Sequence, residues 1–485
     1  MRSVRVSIWV TALCGACVLI SGCVPNLAEN RPRDARKAVP GRFRETDSLG
    51  DADSAGGVSA GQKIWKELFS SPELQNLVEV ALKNNQELNL RVQEIIIAQT
   101  EVSARRGEYR PKVNAGLGAG AEKIGRYTSQ GFSDRLTGVP ENLGNFAFGL
   151  TASWEVDVWG KLRNAASAAE FRYLANIEGR NFMVTQLVAE IARSYYELVA
   201  LDNQLEVLKR NIVIQADALE VMRVEKQAAR VTQLAVQRFE AEVLKNRSRL
   251  YDLEQARVQV ENRINFLAGR FPQPVRRNGQ ELQNALPAVV QAGLPSQLLE
   301  NRPDVRAAEL ELEAAKVDVK AARKTFYPAL SIDAAAGYRS FNAAHIVSTP
   351  ESLMYNLAGN LVAPLMNRAG IEAQYRSANA RQIQAVLGYE RSVLQAFTDV
   401  VNQLVKFENL QKSYDLEQQQ VDTLSKSVEV SNVLFLSARA DYMEVLLTRR
   451  DSLDAQMELI ETKKQLLQAM VNIYQSLGGG WRPAS

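Results

Sequence analysis

The chain carries one short pattern twice, which indicates an internal duplication. The stretch RRGEYRP at Arg105–Pro111 is echoed by ARKTFYP at Ala322–Pro328, and each copy leads into strand-like residues and then a very long helical run. The second proline lies 217 residues after the first, a period too long for a stacked solenoid. The sequence therefore predicts two related halves, each with a helix, two strands, a long helix and a further helix.

The N-terminus predicts a cleaved secretory signal that ends at residue 22. Arg2 and Arg5 precede an apolar run, residues 6–20, that is too short to span a bilayer comfortably. Residues Ile20–Cys23 resemble a bacterial lipobox, which implies cleavage before Cys23 and a covalent lipid on that cysteine. The alternative is an ordinary secreted protein in which Cys23 is incidental.

Cysteine content, charge and hydropathy exclude several classes of function. Cys14 and Cys17 lie inside the signal, so the mature chain has no disulfide framework and no zinc site. The formal net charge of +3 provides no strong field for nucleic acid. Although 46% of the residues are hydrophobic, no mature stretch approaches the roughly 20 apolar residues of a transmembrane helix. If the chain crosses a membrane, it does so as strands.

Four segments show the alternation of polar and apolar residues that is typical of strands. They are Val113–Ala121, Phe146–Trp159, Ala329–Tyr338 and Leu353–Ala363. In the second, large apolar side chains occupy one face, and Glu155 and Asp157 occupy the other, where they would line a wet lumen. A half-buried sheet of a soluble protein is the alternative for any one strand. Four strands in matched positions, behind a lipobox, favour a membrane barrel.

Four strands cannot close a barrel alone, because bacterial barrels have even strand numbers from about eight upward. Two copies would give about eight strands, whose interior is filled by side chains, whereas three copies leave room for a lumen. The predicted fold class is mostly α with a membrane β-barrel. The barrel is trimeric and 12-stranded, with four strands per chain, and stands on a long α-helical coiled-coil tube, the chain being internally duplicated.

The helical runs carry coiled-coil seams. Apolar residues recur at every seventh position from Val184 to Leu219 and again from Val393 to Phe435. The first long run, Lys161–Ala228, would measure roughly 100 Å, which a generic helical bundle does not need. The shorter helices, which would stack in pairs to match the long ones, are Val231–Leu267, Pro303–Phe326, Pro72–Glu108 and Asp441–Leu477.

These patterns also predict the domain boundaries. The signal peptide, 1–22, is followed by a lipidated segment with part of an equatorial region, 23–72, and by the first repeat, 73–271. A linker rich in proline and glycine, 272–302, leads into the second repeat, 303–477, and a short tail, 478–485.

Besides the lipobox, three motifs are distinctive: WEVDVWGKLR at Trp154–Arg163, GLPSQLLENRPD at Gly293–Asp304 and LGGGW at Leu477–Trp481. In these residues the chain resembles the outer-membrane efflux proteins, the TolC-like exit ducts, and among them the NodT-type lipoproteins that serve resistance-nodulation-division pumps. The likeness covers essentially the whole mature chain. It implies a homotrimeric duct through the outer membrane and across the periplasm, which meets a periplasmic membrane-fusion adaptor fed by an inner-membrane pump. The covalent lipid on Cys23 would anchor it to outer-membrane lipid.

The sequence offers few candidate catalytic residues. His345 is the only histidine, and it falls in a predicted outer loop, where a solvated side chain is the simpler interpretation. The resemblance implies passive conduction, with energy supplied by the pump. We therefore expect no catalytic residue, no metal and no cofactor apart from the lipid on Cys23.

The resemblance places function at the two helix turns, near Ala228–Thr232 and Ser437–Asp441. By resemblance, these tips contact the adaptor through Arg230, Val231, Thr232, Arg439, Ala440 and Asp441. Relatives commonly have a glycine in these turns, whereas this chain has alanines. The geometry of the turns is therefore open at this point, although their existence is not.

The same resemblance places a closed aperture in the first turns of the following helices. Met443 would form the constriction with Leu447 one turn deeper, and Leu234 is the counterpart of Met443 at an offset of 209 residues. Some relatives carry aspartate at the position of Leu447, so we expect an apolar, dewetting gate here instead of an acidic lock. Arg450 could form salt bridges between chains, or it could lie on a solvated helix face. Small rotations of the hairpin would open the aperture once the adaptor binds.

A different class of protein also fits part of the pattern. A periplasmic coiled-coil adaptor or scaffold lipoprotein would have the helices and the lipid but no pore, and its strands would be buried against a soluble core. Within the duct hypothesis the cargo stays open among drugs, metal ions, solvents and polypeptides. The absence of a methionine or histidine cluster at the predicted lumen weakly disfavours a dedicated copper route.

Overall fold

The structure is a computed structural model that describes residues 24–25, 27, 32–43, 59–278, 292–366, 368–437 and 439–482. The α-helices are α1 Trp65–Leu68, α2 Pro72–Asn84, α3 Gln86–Glu108, α4 Ser129–Leu136, α5 Lys161–Gln227, α6 Gln233–Leu267, α7 Gln297–Asn301, α8 Pro303–Lys324, α9 Ala369–Leu436 and α10 Tyr442–Ser476. The strands are β1 Lys112–Lys123, β2 Asn142–Val156, β3 Ala329–Ser340 and β4 Leu353–Val362. None of the described helices combines the length and the apolar character needed to cross a membrane. The predicted signal and Cys23 lie outside the described residues.

Three segments differ most from the sequence-based prediction. The strand expected over Phe146–Trp159 is Asn142–Val156, because the Asp157 carboxylate accepts the Leu162 N–H and so belongs to the start of α5. The single helix expected for Pro72–Glu108 is two helices, because Asn85 has extended backbone (ψ 123°) and its side-chain oxygen accepts the Leu88 N–H at 2.8 Å. This is the N-cap arrangement, which starts α3 afresh. The connection between β1 and β2, expected as a loop, contains α4, and the Thr128 side chain caps that helix.

The four strands form one antiparallel sheet in the order β1-β2-β3-β4. Its register pairs Val113 with Ala152 and Gly149 with Gly337, so each face of the sheet can be read across all four strands. One face is apolar and includes Phe148 and Tyr338, whose rings stack at 5.3 Å. β1 and β4 are exposed along their whole length, as strands at the two edges of an open sheet.

Contacts divide the chain into two compact units, each with its own interior. Among the described residues, the first unit takes Ile95–Ala175 and Glu309–Gly388, which include the sheet. The second takes Arg36–Glu94, Asn176–Ala308 and Tyr389–Ser485.

Two tyrosines, one on α5 and one on α10, are among the largest fully buried side chains of the second unit. Tyr195 and Tyr474 are both fully buried. Tyr195 shares a 3.2 Å hydrogen bond with the Ser71 hydroxyl, and the Tyr474 hydroxyl donates to the carbonyl of Lys63 at 2.8 Å. Burial raises the pKa of Tyr474. Each phenol therefore keeps its polar end satisfied while its ring contributes to the core.

Two of the sequence motifs meet in the second unit. Gly478 has a φ of +81°, and a Cβ there would lie 2.5 Å from the carbonyl oxygen of Asn301, so the chain needs glycine at this position. The indole of Trp481 donates to the same carbonyl at 3.2 Å. The C-terminal LGGGW motif is thus packed against the end of the GLPSQLLENRPD motif.

Arg302, from the second of these motifs, joins three elements. Its side chain is 7% exposed, and it donates to Asp304, to Asp399 on α9 at 3.3 Å and to the carbonyl of Ser476 at 3.1 Å. Burial opposes the charge of Arg302, but the two carboxylates outweigh burial and raise its pKa. Arg302 and its three acceptors, Asp304, Asp399 and the Ser476 carbonyl, form what we call the polar joint, which connects α8, α9 and α10.

Candidate functional site

The turn between α5 and α6 uses an alanine where a glycine is usual. Ala229 has a φ of +56°, in the left-handed region, and the N–H of Arg230 donates to the carbonyl of Glu225 at 2.9 Å. This closes the helix in the way a C-terminal glycine does, at a cost of roughly 1 kcal/mol for the Cβ. Thr232 then caps α6 by accepting the Ala235 N–H.

The turn between α9 and α10 repeats this hydrogen bonding 209 residues later. The N–H of Arg439 donates to the carbonyl of Leu434 at 2.9 Å, the counterpart of the bond between Arg230 and Glu225. Asp441 occupies the N-cap of α10 with φ −83° and ψ 153°, close to the −85° and 161° of Thr232. Unlike Thr232, Asp441 makes no capping hydrogen bond with its side chain. Both turns therefore present a short loop followed by a fresh helix N-terminus.

An apolar cluster joins the two hairpins just behind their turns. Its buried members are Leu219, Met222, Val236, Phe239 and Val243. Partly buried apolar residues from both turns pack against them, namely Ala218, Val231, Phe435, Tyr442 and Leu446. The first hairpin contributes all the buried side chains, and Phe435, Tyr442 and Leu446 of the second hairpin pack against them. This packing holds the two turns next to each other.

The predicted gate residues lie on the outside of this cluster. Leu234 and Leu447 are 53% and 39% exposed, so their side chains are available to another surface. Met443 is half-buried, and its sulfur lies 3.1 Å from a guanidinium nitrogen of Arg238 on α6. Arg450 is close to Asp451 of its own chain, at 3.2 Å. Their assignment as a gate stays a prediction, and Arg238 is the neighbour that sequence reasoning did not include.

A second residue that sequence reasoning missed is Arg449. Its guanidinium donates to the Asn432 side chain at 2.8 Å, while Nε and Nη1 are buried without a partner among the described residues. Burial lowers the pKa of Arg449. The heptad contained the signal, because Arg449 lies three residues after Leu446 and four before Leu453, on the inner side of α10.

The two acidic residues predicted to face a lumen have local partners. Glu155 forms an ion pair with Lys161 at the start of α5. β2 ends at Val156, so Asp157 falls one residue beyond the strand, where its carboxylate accepts the backbone N–H groups of Leu162 and Arg163. Burial tends to raise the pKa of Asp157, but these hydrogen bonds outweigh it and lower the pKa. Asp157 thus anchors the beginning of the long helix.

The remaining polar candidates offer no catalytic arrangement. His345 is exposed in a short 3-10 turn between β3 and β4. Within the described ranges, no group of three or more His, Cys, Asp or Glu side chains could hold a metal ion.

Comparisons with known proteins agree with this architecture. The model of the family described as "Outer membrane efflux protein" matches residues 77–270 and 294–479. The pyoverdine export outer membrane protein OpmQ of Pseudomonas aeruginosa is 29% identical over 97% of both chains. The probable outer membrane lipoprotein SilC of Salmonella typhimurium is 24% identical over 96% of this chain and 97% of its own.

Solved structures give the same result for the fold. The open state of the Neisseria gonorrhoeae MtrE outer membrane channel superposes with a TM-score of 0.82 and 22% sequence identity, covering 95% of this chain and 98% of that one. Because the family model matches well over half of the sequence, the resemblance drawn from the motifs is confirmed. The chain belongs to the outer membrane efflux protein family.

Proposed function

We propose that three copies of this chain form the outer-membrane exit duct of a tripartite efflux system. The duct conducts passively what an inner-membrane resistance-nodulation-division pump delivers through a periplasmic adaptor. The observation that carries this proposal is an open four-stranded sheet with one apolar face and two unpaired edges. Members of the family are transport channels, so the alternative of a scaffold without a pore is set aside.

The edges of the sheet support a shared barrel. Within the described chain, β1 and β4 each have a partner on one side only, and their other sides present free N–H and C=O groups. Such groups cannot face lipid unsatisfied, so β1 of one copy would pair with β4 of the next until the sheet closes. Three copies give a barrel of about twelve strands with a lumen.

The apolar residues beside the turns support a gate. Leu234, Met443 and Leu447 follow the two N-caps, and in a trimer they would approach their copies from neighbouring chains. Rings of apolar side chains close a pore by dewetting. The adaptor would bind the turns themselves, through Arg230–Thr232 and Arg439–Asp441, and rotate the hairpin that carries Met443.

The anchor and the cargo are proposed on other grounds. A lipid on Cys23 follows from the lipobox, and the name of SilC as a probable outer membrane lipoprotein supports it. OpmQ is named for pyoverdine export, which makes a small organic solute a reasonable first cargo to test.

The test is single-channel conductance of the purified mature protein in planar bilayers, after its trimeric mass has been checked in detergent. We expect the wild type to open rarely and the variant Met443→Gly, Leu447→Gly to stay open. The control variant Glu444→Gly, Thr448→Gly carries the same two helix-weakening changes on a neighbouring face of α10.

The outcomes separate the pore from the gate. Equal conductance of both variants and the wild type would contradict the gate while leaving the pore. No conductance from any of them, with trimer recovered from the bilayer, would contradict the duct.

A further inference from the structure

The face of the sheet opposite Phe148 is lined by small and polar residues. Read across the register, its rows include Asn114 with Thr151, Gly116 with Gly149, and Gly118 with Ala147. Charged residues on this face are confined to five positions: Lys112, Glu122, Glu155, Asp333 and Arg339. In a closed barrel whose apolar face meets lipid, this is the face that meets water.

A row of glycines crosses this face. Gly149 and Gly337 are opposite each other, and a Cβ on either would lie 2.3 to 2.6 Å from the backbone of the other strand. Side chains would collide there because the two backbones approach closely. With Gly116 on β1, the row has no side chain on β1, β2 or β3, and its member on β4 is Met354.

Arg339 stands immediately next to this row, paired with Ala147. Its Nε donates to the Asn145 side chain at 2.9 Å, which holds the guanidinium over the polar face. Its two terminal nitrogens have no hydrogen-bond partner and no carboxylate among the described residues. Glu351, which precedes the Ser352 that accepts the Arg339 backbone N–H, forms no ion pair with it.

The other charges of this face are too far away to neutralise Arg339. Asp333 lies six residues along β3, roughly 20 Å away at 3.4 Å per residue. Glu122 lies four residues and two strands away, roughly 17 Å. Both separations exceed the Debye length of about 8 Å at physiological salt. Arg339 is thus an exposed cation beside the glycine row, and no other charged strand residue of this face lies within a Debye length of it.

We propose that Arg339 is a specificity-determining residue of the duct, where one guanidinium per chain favours the passage of anionic solutes. The ligand class is a small anion or a solute bearing carboxylate or phosphate groups, which the free N–H groups of arginine suit. This inference rests on the proposed function, because it requires the polar face to line a pore.

The experiment measures reversal potentials in a KCl gradient across planar bilayers. It uses the full mature chain with Met443→Gly and Leu447→Gly, so that the tip does not limit the current. We expect Arg339→Gln to lower the permeability ratio of chloride to potassium about threefold and Arg339→Glu to lower it further. Arg91→Gln removes the same charge from α3, where Arg91 is paired with Glu94, and should leave the ratio unchanged.

A second measurement tests the inference even if the Arg339→Gln variant fails to insert into the membrane. The mature chain has no cysteine beyond Cys23, so Arg339→Cys and Ser340→Cys can be compared with wild type using a membrane-impermeant thiol reagent on whole cells. Adjacent strand residues point to opposite faces, so Cys at 339 should react and Cys at 340 should not.

Each result has a distinct meaning. An unchanged ratio in a conducting Arg339→Gln channel would overturn the inference alone, as would selective labelling at position 340. Absence of any conductance from the parent channel would overturn the proposed function and this inference with it.

Discussion

The two long helices have nearly equal lengths and the same heptad spacing, yet they differ in how many of their heptad residues are buried. α5 has 67 residues and α9 has 68. In the second unit, α5 buries a continuous apolar stripe that includes Leu198, Leu205 and Leu208. In the described part of α9, no apolar side chain beyond Phe407 is buried, and the heptad residues Tyr414, Val421 and Val428 are only half-buried.

This difference shows that a heptad repeat determines which face of a helix is apolar, but not which residues pack against that face. α5 finds its partners within the chain, since Leu208 packs with Leu453 and Met457 of α10. The second half of α9 has the same period without enough neighbours in one copy. In the proposed trimer, neighbouring copies would cover the second half of α9.

The largest expected effect comes from removing a leucine from the α5 seam. Leu208→Ala deletes a fully buried side chain, and we expect a loss of about 3 kcal/mol because a cavity remains. Thermal unfolding in detergent, followed by far-ultraviolet circular dichroism, measures it. Val421→Ala truncates a half-buried heptad residue of α9, and it should alter the unfolding of a dissociated chain much less while weakening the trimer. If the substitutions on α5 and α9 destabilised the dissociated chain equally, the proposed difference in burial between the two helices would be contradicted.

A smaller effect is expected where α9 is held by a polar joint instead of an apolar seam. Arg302→Gln leaves Asp304 and Asp399 without their cation and the Ser476 carbonyl without this donor. We expect about 2 kcal/mol of destabilisation, below the value for a fully buried pair because both carboxylates are partly exposed. Arg376→Gln, whose arginine is 69% exposed and pairs with the exposed Glu372 of α9, is the control and should cost less. Chemical denaturation of both variants would rank them, and the opposite order would contradict the joint.

The smallest effect concerns a charge pair between α5 and α6. Burial tends to raise the pKa of Glu190, but Arg193 and Arg263 outweigh it and lower the pKa. A carboxyl with a depressed pKa stabilises the fold above its unfolded pKa of about 4.3, and this contribution is lost as the pH falls through the folded pKa.

Glu190→Gln should therefore cost at most about 1 kcal/mol near neutral pH, and the deficit should disappear in acid. Unfolding midpoints of wild type and variant across this pH range measure it. Glu206→Gln, which removes a carboxylate from an exposed pair with Arg210 on the same helix, is the control. A deficit that is constant with pH would mean that the charge is not its source.

The sequence alone determined the features that are encoded over short distances. The alternation predicted for Phe146–Trp159 and the start of a helix at Pro303 are set by residues two to four positions apart. The structure has this strand, which ends at Val156, and a helix that begins at Pro303. The two hairpin turns lie where they were expected, although only Thr232, and not Asp441, makes a capping hydrogen bond with its side chain. Each of these depends on backbone conformation and side-chain period, which neighbouring residues decide.

Only the tertiary structure decided what each surface touches. Asn85 breaks a helical pattern because its amide also donates to the carbonyl of Leu267, 182 residues away. The Arg339 side chain is held by Asn145, 194 residues away, and no local pattern indicates that pairing. Burial and pairing depend on groups brought together from distant parts of the chain, so the heptads of α5 and α9 look alike in sequence and differ in space.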